Sequence, residues 1–134
     1  MPRKCRIDGV SWTVSRYTRD CFPKIGEADL DRKVIWVDPT LEGKELCITA
    51  IHEALHALLW PWDEENIQAT AVAVYRALNT AGCFDADGLS RQKSITVITK
   101  VLAVPLKQWE KKNVSKAATV VYNVMKQTGC FDNA

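Results

Sequence analysis

Apolar positions along this 134-residue chain follow two different periods, and the change falls near Lys44. Before it, residues 7–17 (Ile-Asp-Gly-Val-Ser-Trp-Thr-Val-Ser-Arg-Tyr) alternate and are rich in β-branched and aromatic side chains, which predicts a strand interrupted at Gly9. Residues 18–32, with Pro23, Gly26 and several Asp, read as loop. Residues 33–38 form a compact strand stopped by Pro39, and residues 39–43 a turn. From Lys44, the residues Leu46, Ile48, Ile51, Leu55, Leu58 and Leu59 fall mostly at steps of three and four, which predicts a helix ended by Pro61. Asp63 is the expected N-cap of a second helix reaching about Ala81 and closed by Gly82. Residues 85–88 read as a linker. Ser90 caps a third helix ending near Pro105, and a fourth runs from about Trp109 to Thr128, closed by Gly129. The expected fold is α+β, one domain over residues 1–134. A strand-rich part (1–43) forms a small N-terminal sheet packed on two helical hairpins (44–85 and 86–134).

Residues 48–85 and 95–132 match at a constant offset of 47 without a gap, with 14 of 38 positions identical. Chance gives about two or three matches at ordinary residue frequencies. The shared positions include Trp62/Trp109, Val74-Tyr75/Val121-Tyr122 and the Gly-Cys-Phe-Asp runs at 82–85 and 129–132. They are mostly apolar, aromatic or Gly, as packing and capping require, and they indicate an internal duplication of one hairpin. The repeat also decides residues 95–104, whose β-branched residues allow a strand but whose partner segment is patterned as a helix.

Composition changes the picture little. Hydrophobic and charged fractions of 47% and 25% are those of an ordinary globular protein. No apolar stretch approaches the roughly 20 residues that span a bilayer, and the basic start is not followed by the apolar run of a signal peptide. Five widely spaced cysteines without a CxxC pair suit free thiols in a reducing cytoplasm. Charge is uneven. Residues 1–85 hold 10 Lys/Arg and 13 Asp/Glu, whereas residues 86–134 hold 8 and 3. The basic C-terminal part suits an acidic partner or nucleic acid, or is simply a solvated helix face.

The candidate chemistry lies at His52-Glu53-Ala54-Leu55-His56. Residues at i and i+4 stack on one helix face, so both imidazoles can point at one metal ion, and Glu53 can act on a water beside it. These are the only two histidines in the chain. A catalytic zinc takes three protein ligands and keeps an open position, so the third ligand must come from another residue type. Asp63-Glu64-Glu65 begins the next helix. From Glu64, helical steps reach Ile67, Ala71, Val74 and Leu78, the apolar face. From Glu65 they reach Gln68, Ala69, Val72 and Arg76, a more polar face. Glu64 is therefore the favoured third ligand, with Glu65 the alternative and Asp63 the cap. The second copy has Thr99, Lys100, Ala103, Lys111 and Lys112 at the matching positions, so a metal site belongs to the first hairpin alone.

With these residues in hand, segment 26–81 resembles the core of small HExxH zinc metallopeptidases, including the ImmA/IrrE-like group and short phage-encoded relatives. The likeness lies in a short strand ending near Asp38, a Pro-containing turn, the HExxH helix, and a following helix that donates Glu. It implies a zincin-like core, Zn2+ held by His52, His56 and Glu64, and Glu53 as the general base in hydrolysis of a protein or peptide substrate. It further implies a cytoplasmic setting, the host's if phage-encoded. Tyr17, Tyr75 and Arg76 are candidate oxyanion donors. Trp36, Trp60 and Trp62 are candidate cleft aromatics, and strand 34–37 would pair with an extended substrate if it lies at a sheet edge. The rival expectation is a non-catalytic zinc-containing regulatory module whose basic second hairpin contacts a protein or nucleic acid.

Overall fold

The chain enters its sheet through a tight hairpin. Asp8 and Gly9 both adopt left-handed backbone, with φ of 51° and 77°, as a two-residue Asp-Gly turn requires. The expected interruption of strand 7–17 at Gly9 is a hairpin turn: β2 (Val10–Ser15) follows it, and β1 (Arg3–Ile7), which precedes it and is not expected from the pattern, pairs antiparallel with β2 from Arg3 opposite Val14 to Ile7 opposite Val10. The computed structural model describes residues 3–16, 25–59, 62–85 and 90–132. Tyr17 and Trp60 lie outside the described residues.

The segment expected as loop contains a strand, β3 (Gly26–Asp29), paired antiparallel with β4 (Val34–Val37). Gly-Glu-Ala-Asp has low strand propensity, and cross-strand pairing overrides it. The sheet order is β1-β2-β4-β3, with β2 and β4 parallel. Strand 34–37 is thus interior, and β3 is the edge beside it. Cys5, Ile7, Trp12, Val14, Ile35 and Val37 are all buried in one core cluster.

Four helices follow: α1 (Gly43–Leu58), α2 (Glu64–Thr80), α3 (Arg91–Leu102) and α4 (Lys111–Thr128). The expected caps are in place. The Asp63 side chain accepts from the Asn66 amide, and Ser90 accepts from the Lys93 amide. Gly129 closes α4 at φ 93°. Helix α3 stops three residues before Pro105, and α4 begins two residues after Trp109. Pro105 disfavours helical backbone at the residue before it, and residues 103–108 form turns instead. β3 and β4 pack on α1, while β1 and β2 pack on α4; α2 and α3 form the layer behind. Among the described residues no helix is long and apolar enough to cross a membrane.

Two features join the layers. Tyr75, Phe84, Phe131 and Tyr122 form a continuous ladder of stacked rings, with centroid spacings of 5.5, 5.4 and 5.2 Å. Arg16, at the end of β2, donates to the Thr128 carbonyl at the end of α4 (2.5 Å). It also donates to the carbonyls of Asp38, Pro39 and Leu41 (3.2, 3.1 and 2.7 Å), which lead into α1. One guanidinium thus donates to four carbonyls in two segments, the end of α4 and the stretch between β4 and α1, and ties both to the end of β2.

Replacing Arg16 with Met should lower stability by about 3 kcal/mol, because partly buried carbonyls lose charge-assisted donors. Urea unfolding should show a lower midpoint at unchanged slope, with Lys restoring little, since an ammonium cannot span the same fork. A midpoint within error of the parent would contradict this role.

Candidate metal centre

Helix α1 presents different faces to different neighbours. Leu46, Ala50, Ile51, Ala54 and Leu55 are buried against the rest of the core, with Ala50, Ile51, Ala54 and Leu55 fully inaccessible. His52 and His56, one turn apart, fall on the stripe that looks towards the start of α2 and remain half-buried. The helix ends just beyond His56, and Asp63 restarts the chain as α2, so Glu64 occupies the first turn beside both imidazoles.

The donors converge. His52 Nε2 lies 2.6 Å from Glu64 Oε1, His56 Nε2 lies 2.9 Å from Glu64 Oε2, and the two Nε2 atoms are 3.1 Å apart. One ligand atom from each residue falls within a 4.8 Å group. His52 Nδ1 is 2.7 Å from the Gln68 amide oxygen. With that proton on Nδ1, the Nε2 lone pair faces Glu64 and His56. With Nε2 unprotonated on both rings the convergent atoms are all acceptors, the state that a metal ion would close; with Nε2–H on either ring the same distances are hydrogen bonds to the Glu64 carboxylate. Donors around a tetrahedral zinc stand ~3.3 Å apart, so an ion fits once the pairs at 2.6, 2.9 and 3.1 Å open to that spacing. Two imidazoles and a carboxylate are an apt donor set for it.

Glu53 is buried at 8% exposure, between α1 and β3. A Cβ on Gly26 would sit 2.9 Å from Thr49 Cγ2 and 3.2 Å from Glu53 Cγ and Oε2. Gly26 therefore lets the edge strand lie directly on the helix face that carries Glu53. Ala28, the next residue on that face of β3, is also small. Between them runs a cleft of about 930 Å³, lined by β3, by Ile48, His52, Glu53 and His56 of α1, and by Glu64 and Gln68 of α2.

The structure brings His52, His56 and Glu64 together with Glu53 on one cleft. Glu65 is exposed one residue away and is not in the convergent group. Gln68, assigned by periodicity to the polar face of Glu65, stands one turn from Glu64 at the site. Gln68 is three residues from Glu65 and four from Glu64, and both are helical steps, so spacing alone does not separate them. Tyr75 stacks on Phe84, Arg76 is exposed, and neither lines the cleft. Trp36 is buried in the sheet, where its indole N–H donates to Glu27 (3.1 Å), and Trp62 is half-buried against the core. Neither forms a wall of the cleft. Gly26 carried no local signal, because its role depends on a tertiary approach. No family model, curated protein or solved structure matches the chain.

Glu64→Ala should weaken zinc binding at least tenfold in competition with a chromophoric chelator, Gln68→Ala by about 10-fold, and Glu65→Ala should leave it unchanged. Loss of affinity in the Glu65 variant equal to that in the Glu64 variant would reverse the assignment of the third ligand. Gly26→Ala should cost about 1–3 kcal/mol from the close contact with Thr49 and Glu53; an unchanged unfolding midpoint would place β3 elsewhere.

Proposed function

We propose that the cleft is the active site of a zinc-dependent peptidase, with His52, His56 and Glu64 holding the ion and Glu53 as general base. The observation that carries this reading is the convergence of two imidazoles and one carboxylate at 2.6 to 3.1 Å, opening onto a cleft whose wall includes a buried carboxylate. The same donor set suits ferrous iron. Glu53, adjacent in sequence to a ligand and directed to the same cleft, is the group that hydrolysis needs and iron oxygenation does not.

A bound zinc ion supplies Lewis acidity, polarising a carbonyl and lowering the pKa of water towards about 7. Glu53 takes the proton of the attacking water and delivers it to the leaving amine. Burial against β3 fixes the position of its carboxylate. Gln68 orients His52 through Nδ1. Among the described residues, β3 pairs on one side only, with β4, so its outer edge is available to an extended peptide as an added strand beside the cleft. This edge replaces strand 34–37 as the substrate-pairing element.

The zincin-like core belongs to the same proposal, as does descent of the two hairpins from one. Matched positions Ile51/Ile98, Leu55/Leu102, Leu59/Leu106, Ala71/Ala118 and Val74/Val121 are buried in both copies. The ring ladder is built from matched pairs, Tyr75 with Tyr122 and Phe84 with Phe131, meeting at its centre. The two Gly-Cys-Phe-Asp turns carry the same bonds, Cys83 N to Leu78 O and Cys130 N to Met125 O, both 2.9 Å. In each, a Cβ on the Gly would meet the following Asp carboxylate at 3.3 Å.

Glu53→Gln should retain zinc and the fold but lower hydrolysis of a fluorogenic mixed-peptide pool by at least about 100-fold. Parent-level hydrolysis by the zinc-loaded variant would remove Glu53 from the mechanism.

A further inference from the structure

All eight Lys/Arg of residues 86–134 are exposed, and in the described part of that segment they face two acids, Glu110 and Asp132. Glu110 is itself 3.8 Å from Lys112. The charge is spread along both α3 and α4, spans of about 18 and 27 Å at 1.5 Å per residue. Where the first hairpin has Glu53, Glu64 and Glu65, the second has Lys100, Lys111 and Lys112. The duplicate scaffold thus carries the opposite sign.

A second groove, of about 880 Å³, lies between the β1–β2 turn and residues 108–123, the start of α4 and the segment before it. Trp109 lines it and is 41% exposed, whereas its matched residue Trp62 is packed against the core. Arg6 and Lys116 bring positive charge to the walls, and Asn113 and Asn123 bring amides about 15 Å apart along α4 at 1.5 Å per residue. Arg6 is held over the turn by its bond to the Gly9 carbonyl (2.7 Å). Asp8 and Glu110 also line the groove, so it is not uniformly cationic.

We propose that this groove and the basic surface around it bind single-stranded nucleic acid. An accessible indole gives a base a face to stack on, and stacking tolerates any sequence. The amides offer donors and acceptors to base edges, and the flanking lysines and Arg6 contact phosphates. A concave groove with an aromatic in its wall fits a strand with splayed bases better than it fits the plane of a membrane. Binding here is separate from the metal cleft and does not depend on its chemistry.

The test is fluorescence anisotropy of a 5′-labelled 20-nucleotide single-stranded DNA of mixed sequence, titrated with the full chain at several salt concentrations. Binding should weaken linearly in log–log plots, by ~0.7 decades per decade of salt for each phosphate contacted. Trp109→Ala should weaken it about tenfold or more, with Trp109→Phe restoring most of the loss, a readout that a packing defect would not give. Combined Lys111→Glu, Lys112→Glu and Lys116→Glu should abolish it, while Arg76→Glu on the first hairpin should not change it. Circular dichroism reports whether each variant is folded. No binding at low salt, binding by folded variants insensitive to Trp109, tighter binding to duplex of the same length, or binding to phosphatidylserine vesicles in place of the oligonucleotide would each overturn the proposal.

Discussion

Helix α1 is enclosed on three sides, and what those neighbours leave open decides what the protein can do. The β3–β4 half of the sheet, α2 and α4 all pack on it, and most of its apolar residues are buried. Enclosure fixes the phase of the helix, because rotating it would bring the imidazoles into the core and expose Leu55 and Ile51, at about 1.5–3 kcal/mol for each large side chain. With the phase fixed, His52 and His56 share the remaining stripe. The short passage to Asp63 then places Glu64 beside them.

The same enclosure positions Glu53. One residue on from His52, its side chain leaves the helix towards β3 and not towards α2. Only the absence of a side chain at Gly26 makes room for it there. The His52–His56–Glu64 cluster and the Glu53 carboxylate are therefore held by different partners. The first is set by the approach of α1 and α2, the second by β3, whose neighbour β4 leads into α1 through the stretch that Arg16 clamps. A change at either contact acts on the cleft without touching the cluster.

Local signals were legible and tertiary ones were not. The caps at Asp63, Ser90 and Gly129 are read from single residues, because capping is a one-turn interaction. The pairing of His52 with His56 follows from helical phase alone; Glu64 stands beside them although its side chain is exposed and not turned into the apolar face that its helical steps predict. Strand β3 escaped because Gly-Glu-Ala-Asp lacks strand propensity and owes its conformation to β4. The interior place of strand 34–37 depended on finding β3, and Gln68 is reached by helical steps from either Glu. Gly26 could not be found from sequence at all, since an unfilled Cβ position has meaning only against the opposing helix.

At matched positions the second hairpin is buried where the first is, and it has Lys100, Lys111 and Lys112 where the first has Glu53, Glu64 and Glu65. The proposed function rests on the cluster of His52, His56 and Glu64 being closed by a metal ion and not by a proton. Metal analysis of the purified chain after dialysis, with zinc-edge X-ray absorption on the same sample, tests it most directly. The account predicts close to one zinc per chain, bound by two imidazole nitrogens and carboxylate oxygen with no sulfur. A chain that takes up no zinc from excess, and whose imidazole nitrogen resonances show one ring protonated against Glu64, would contradict it.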